Sequence, residues 1–146
     1  MKARGISTWK GSWKQGEGTI STESPVIKEQ AYSYASRFQG TPGASPEELL
    51  AAAHAACYNH ALANVAGKNN LTTESIHTVV DINLGFDEAD RPEIKGLHFT
   101  VEANIPGATA QQFQEFANLA RLGCAISKIL KIQTTISAIP VNTVAF

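Results

Sequence analysis

Sulfur, net charge and long apolar runs are all scarce in this sequence. Only two cysteines occur, Cys57 and Cys124, far apart in the chain, with no CxxC pair and no zinc-type quartet. Lysine and arginine number 12 against 13 aspartates and glutamates, a formal net charge of −1. No basic field exists to draw the protein to nucleic acid or to an anionic membrane. The longest apolar stretch, Leu49 to Ala53, is far too short to cross a bilayer, and His54 interrupts its continuation. The leading MKARGISTWKGSW has no apolar core of signal-peptide length, so the expectation is a cytoplasmic protein. Internal repeats and low-complexity segments are also absent. The remainder is ordinary globular composition, 43% hydrophobic and 17% charged, which excludes a largely disordered or fibrous chain. A length of 146 residues suits a single domain over 1–146. A permanent disulfide is uncommon in a reducing compartment, so the two thiols are either inert core groups or redox-active ones.

The periodicity predicts an α+β fold. In residues 5–40, Trp9 and Trp13 flank Gly11, Gly16 and Gly18 precede Thr19 to Thr22, and Tyr32 to Phe38 alternates. This reads as about three short strands, with Arg37 opposite an aromatic stripe. After a Gly-Pro loop, Ser45, Pro46 and Glu48 form the start signal of a helix from Glu47 to about Ala66, with Gly67 as its stop. Its many alanines predict a central helix packed closely on several sides. Ile76 to Phe86 and Leu97 to Ile105 alternate around a polar turn, giving a hairpin. Thr109 and Gln112 form a second capping box before Phe113, Phe116, Ala117 and Ala120. Gly123 should weaken that helix just before Cys124, and the pattern resumes through Ile126, Ile129 and Leu130. A β-like stretch covers Ile132 to Ile139. The predicted order is βββ-α-ββ-α-β, with two long helices against antiparallel sheets.

On the first long helix, Glu47, Leu50, His54, Cys57 and Ala61 fall within a stripe roughly 80° wide. An acid, an imidazole and a thiol thus share one face of a mostly alanine helix. In one reading Cys57 fills a gap, His54 is a satisfied core group and Glu47 complements the helix N-terminus. In the other, Cys57 is reactive and must be a thiolate at neutral pH. It lies about three turns from the helix start, too far for the dipole to act strongly, so a fixed cation is needed. Arg37 suits, because an arginine held by a carboxylate stays charged and keeps donors for sulfur. Lowering a thiol pKa by ~2 units takes ~2.7 kcal/mol, within reach of one close charge. A metal site at His54-x-x-Cys57-x-x-His60 is disfavoured, because the two histidines point about 120° apart on a helix. A Cys57–His54 hydrolytic pair lacks a nucleophile elbow or oxyanion-hole motif. His60 reads as structural.

The run Ser45-Pro46-Glu47-Glu48-Leu49-Leu50-Ala51-Ala52-Ala53-His54-Ala55-Ala56-Cys57 resembles the signature of the OsmC/Ohr family of osmotically induced and organic-hydroperoxide-resistance proteins. The resemblance extends through Trp9, Gly16 to Thr19, Ser36-Arg37-Phe38-Gln39-Gly40, Ile105-Pro106-Gly107 and Gly123 to Ser127, and it is nearer the OsmC branch. It implies an OsmC-like fold in an intertwined homodimer with active sites at the subunit interface. It also implies thiol-dependent reduction of organic hydroperoxides in oxidative or osmotic stress, with Cys57 peroxidatic and Cys124 resolving. Arg37 would activate the thiolate and Glu47 would hold Arg37. One departure is Ala125, where family members commonly carry proline after the second cysteine.

The chemistry would then run through a Cys57 sulfenic acid and a Cys57–Cys124 disulfide, reopened by an external dithiol, lipoyl-type or thioredoxin-like. No cofactor, metal, nucleic acid or membrane partner is expected. Leu50 and Phe38 are expected to line a pocket for the organic group, with His54 as a further candidate there. The competing reading is a non-catalytic domain of the same fold that binds a hydrophobic ligand or partner.

Overall fold

A computed structural model describes residues 1–141, which divide into two compact units at Leu49/Leu50. The first unit is a meander of β1 (Gly5–Lys10), β2 (Glu17–Thr22) and β3 (Gln30–Ser33), paired antiparallel in that order. Register sets Trp9 opposite Gly18 on one side and Tyr32 opposite it on the other. A Cβ on Gly18 would lie 2.6 Å from Tyr32 and 2.8 Å from Trp9 side-chain atoms, so the two rings close over the middle strand only because that residue has no side chain. Their centroids are 5.3 Å apart.

The third strand ends earlier than the alternation predicts. Residues Tyr34–Phe38 form a short helix, α1, instead of continuing β3. Ser33 is its N-cap: its hydroxyl oxygen accepts from the Ser36 amide at 3.1 Å, and Ser36 Oγ accepts from the Ser33 amide at 2.9 Å. This reciprocal box outcompetes the strand ladder. Arg37 therefore lies on a helical turn, and Tyr34 and Phe38 are neighbours one turn apart, ring centroids 4.9 Å. Only Gly16 and Gly18 are fully buried in residues 1–49, and Trp13 is 50% exposed. A unit of this size without a buried large side chain lacks a core of its own.

Helix α2 (Pro46–Lys68) opens on Ser45, whose Oγ accepts from the Glu48 amide at 3.4 Å. It runs through Gly67, and the reversal falls instead at Asn70, in the left-handed region with φ of 59°. In the second unit its buried residues are His54, Tyr58, Leu62 and Ala66, a single row four apart. Ala52, Ala53 and Ala56 are exposed, so within the single chain α2 is covered along one row rather than on several sides.

The second sheet has order β4 (Ser75–Phe86), β5 (Pro92–Asn104), β6 (Thr134–Pro140), with a register shift at Asn83/Leu84. β4 and β5 form the expected hairpin. β6, however, pairs parallel to β5, so this sheet is mixed rather than antiparallel throughout. The crossover carries α3 (Ala110–Gly123) and a short α4 (Ala125–Ile129). Thr109 and Gln112 form the predicted box on α3. Leu97, Phe99, Val101 and Ala103 of β5 meet Tyr58 and Leu62 of α2 and Phe113 and Phe116 of α3 in one buried cluster. Tyr58 donates its hydroxyl to Ala117 O at 3.0 Å, tying α2 to α3.

Phe99 touches both the Tyr58 and His54 rings. Phe99→Ala should cost about 3–5 kcal/mol in urea unfolding, against about 1 kcal/mol for the exposed cap change Thr109→Ala. Equal losses would place the centre of the core elsewhere.

Candidate active site

Four side chains implicated by the sequence form two close pairs, one in each unit. In the first unit Glu47, in the first turn of α2, takes two hydrogen bonds from Arg37: Nη2 to Oε1 at 2.5 Å and Nε to Oε2 at 3.3 Å. Ser45 Oγ donates to the same Oε2 at 2.8 Å. Burial works to raise the Glu47 pKa, but donation from Arg37 and Ser45 outweighs it and holds the carboxyl below its ordinary range. The pair is therefore ionised at neutral pH. Its stabilisation is present above the ordinary carboxylate range and is lost as pH falls through the lowered folded-state value. The guanidinium also lies over the Phe38 ring, 4.9 Å from its centroid.

Beside Arg37 is a cleft of about 260 Å³ walled by Trp9, Trp13, Tyr32, Tyr34 and Phe38. Phe38 is one wall of this apolar hollow. The two tryptophans and Tyr34 carried no pocket signal in the sequence beyond the flanking of Gly11 by Trp9 and Trp13. Leu50 begins the second unit and is half-buried.

In the second unit Cys57 on α2 meets Cys124, which is 1% exposed. Cys124 occupies the break between two helices. Its amide closes α3 by donating to Ala120 O at 2.9 Å, and its carbonyl starts the next turn by accepting from Lys128 N at 3.2 Å. Its extended backbone, φ −69° and ψ 124°, turns the chain so that the first amides of α4 face the sulfurs. Cys124 Sγ donates to Cys57 Sγ at 2.9 Å.

The two thiols are shifted in opposite directions. Burial pushes Cys57 up, but donation from Cys124 and from the Ile126 and Ala125 amides more than offsets it, leaving the thiol below its ordinary value. Burial and the shared hydrogen bond with Cys57 raise Cys124, only partly countered by Ser127 and Ile126 donors. One sulfur is thus poised as the anion and the other as the proton donor. The position of Cys57 along α2 gives no hint of this, because the helpful amides belong to α4. Ala125 matters here: a proline at that position would have no N–H to give.

His54, a candidate pocket residue by sequence, is 1% exposed and belongs to the core. Its ring meets Phe99 edge-on at 4.7 Å, and Nε2 lies 2.7 Å from Ser127 Oγ. Burial holds its pKa below the ordinary histidine range, so it is neutral at pH 7. His60 is exposed. Among the described residues no group of three or more His, Cys, Asp and Glu side chains is placed to hold a metal ion, and no helix is long and apolar enough to cross a membrane.

The family model described as OsmC-like protein matches residues 38–138. The chain is 39% identical over 134 residues to Peroxiredoxin OsmC of Escherichia coli, covering 91% of this chain and 92% of the relative. It is 30% identical over 111 residues to organic hydroperoxide resistance protein OhrB of Bacillus subtilis, covering 76% and 79%. The crystal structure of that OhrB superposes with a TM-score of 0.69 at 23% identity, over 97% of this chain and 98% of the other. An OsmC-like protein of Vibrio cholerae superposes at 0.74 with 18% identity, over 95% and 99%. These two likenesses carry the fold.

Ultraviolet titration of thiolate absorbance in Cys124→Ser and Cys57→Ser variants should find Cys57 ionising below the free-thiol value near 8.5 and Cys124 above it. Ala125→Pro should move Cys57 upward by removing one amide donor. An unchanged titration would remove α4 from the account of Cys57.

Proposed function

The chain belongs to the OsmC family, and from that membership we propose that it is a cysteine-based peroxidase reducing organic hydroperoxides to alcohols. The observation that carries the reading is the sulfur pair, 2.9 Å apart, with one thiol lowered and the other raised. Inert core cysteines have no need of such opposition. The named peroxiredoxin and hydroperoxide-resistance relatives support the same reading.

In the proposed cycle Cys57 thiolate attacks the distal peroxide oxygen. An S–O bond forms, the O–O bond breaks, and the alkoxide leaves as an alcohol after taking a proton. Cys57 is then a sulfenic acid. Cys124 sulfur attacks Cys57 sulfur, water departs, and a disulfide remains. An external dithiol, lipoyl-type or thioredoxin-like, reopens it by exchange. We assign Arg37 the stabilisation of charge on thiolate and peroxide. Glu47, itself held by Ser45, keeps the guanidinium oriented. Trp9, Trp13, Tyr34 and Phe38 would take the organic group, which favours alkyl hydroperoxides over hydrogen peroxide.

The working form is proposed to be a homodimer of one OsmC-like domain spanning 1–146, acting in the cytoplasm against oxidative or osmotic stress. Supporting the dimer are a first unit without a buried large side chain and exposed Leu122 (61%) and Ile129 (75%) in the second.

Stopped-flow reduction of an alkyl hydroperoxide by the reduced protein tests the reading. Cys57→Ser should be inactive. Cys124→Ser should consume one equivalent and stall, and Arg37→Ala should lose about 10²-fold or more in rate. Turnover by Cys57→Ser, or equal rates on hydrogen peroxide and a bulky alkyl hydroperoxide, would contradict it. Light scattering should report two chains per particle.

A further inference from the structure

Ser36, next to the arginine of the ion pair, takes no part in the peroxidase cycle, yet its hydroxyl reaches beyond its own helix. Helix α1 is five residues long and buries none of them, too short to hold its shape alone in water. The orientation of Arg37 must therefore come from what α1 is fastened to. Ser36 Oγ accepts from the Ser33 amide at 2.9 Å, which completes the capping box and leaves the hydroxyl proton to be given elsewhere. The nearest acceptor is Ala44 O at 2.8 Å, eight residues on in the loop before α2. The carbonyl of Ser33, in the same turn, is farther at 3.1 Å. Capping α1 does not require the Ala44 contact.

Ala44 is held from its other side as well. Its amide donates to Ala31 O at 2.7 Å, and the residue bridges in parallel to Tyr32 of β3. Gly43 sits directly on Ser36: a Cβ there would lie 2.9 Å from Ser36 Cβ, and its φ of 143° strains any residue with a side chain. The loop is thus seated against β3 and α1 at one point. Ser45 follows, its hydroxyl donating to Glu47 Oε2, and Glu47 in turn accepts from Arg37. The path from Arg37 through Ser36, Ala44, Ser45 and Glu47 closes on itself within the first unit. With the Ser36 bond in place, the spacing between α1 and the start of α2 is set independently of the ion pair. Held by the ion pair alone, the guanidinium would follow Glu47 wherever the loop carried it.

Resting on the role given to Arg37 in the peroxidase reading, we propose that Ser36 is a positioning residue: its hydroxyl bond to Ala44 O clasps the loop between α1 and α2, so that Glu47 holds the Arg37 guanidinium in one orientation. Ser36 acts through Ala44, Ser45 and Glu47, and no proton or electron passes through it. An arginine that is free to swing stays charged. What it loses is direction, and stabilisation of charge that develops during a reaction depends on direction. Alanine at position 36 would leave Ala44 O without its side-chain donor and the Ser33 amide without its acceptor. A side chain at position 43 would unseat the same loop while leaving the Ser33–Ser36 box untouched, which allows the clasp to be told apart from the cap.

Two measurements test the clasp, one of them independent of activity. The sequence holds four arginines, so the side-chain Nε–H signals in the NMR spectrum of the reduced, isotope-labelled protein are few, and the one lost in Arg37→Lys belongs to Arg37. In the wild type that signal should stand apart from those of exposed arginines, because its Nε–H donates to Glu47. Ser36→Ala and Gly43→Ala should each move it toward the exposed-arginine position. In stopped-flow oxidation of Cys57 by cumene hydroperoxide, Ser36→Ala should be about fivefold slower, the loss expected for one neutral hydrogen bond. In an Arg37→Ala background the same change should cause no further loss, since a residue acting through Arg37 then has nothing left to position. An Arg37 signal unmoved by Ser36→Ala would overturn the proposal, as would a fivefold loss that persists without Arg37. A signal moved by Ser36→Ala and left in place by Gly43→Ala would assign the serine to the helix cap alone, and the clasp would fall. Wild-type protein that leaves cumene hydroperoxide unreduced would overturn the peroxidase reading, and the catalytic role of Ser36 with it, whatever the Arg37 signal does.

Discussion

The hydrogen bond from Cys124 Sγ to Cys57 Sγ exists because a helix stops where it does. Had α3 continued through Gly123 and Cys124, the amides of residues 125 to 127 would have been spent on carbonyls one turn back. Because the chain turns extended at Cys124, those amides are free at the start of α4, and they face two sulfurs. The opposite shifts of the two thiols arise from that break. So does the approach of Ser127 to His54, which anchors α4 against α2. Cys124 serves as last residue of one helix, first cap of the next and half of the sulfur pair, so a change in any of these roles disturbs the others.

The arginine–glutamate pair obeys a different logic. A carboxylate in the first turn of α2 is favoured by the helix alone, but Glu47 has three side-chain hydrogen bonds arranged around it, from Arg37 and Ser45. That arrangement fixes a planar cation in one orientation, which an exposed ion pair would not do. The α1 turn is what delivers Arg37 to it. As the fourth residue of a capped turn rather than a residue in a flat strand, Arg37 comes to rest beside Phe38 and the aromatic cleft.

Much of this was legible in the residues, where the controlling signal is local. Capping pairs marked the start of α2 and α3, alternation marked β4 and β5, and Gly123 marked the break before Cys124. The strand expected over Tyr32 to Phe38 failed because Tyr34 and Phe38 satisfy both a period of two and a spacing of four, and the Ser33–Ser36 box decides between them. Parallel pairing of β6 was not legible, since periodicity says which residues alternate and nothing about their neighbour. The face of α2 that carries Glu47, His54 and Cys57 was identified, but its orientation depends on bulk: Tyr58 and Leu62 pull their own row inward, and His54 goes with them. Ser127 was visible only as part of a motif. Its partner lies 73 positions away in sequence, a distance no spacing rule spans.

Parallel pairing of β6 has a kinetic implication. Hairpins such as β4–β5 close early because their ends are near in sequence, whereas β6 must wait for the whole stretch containing both α3 and α4 to be gathered in. Cys124 lies inside that stretch. Assembly of the thiol pair is thus tied to late events in folding rather than to the first collapse, and a nascent or partly opened chain would carry two ordinary, separated cysteines until the crossover shuts.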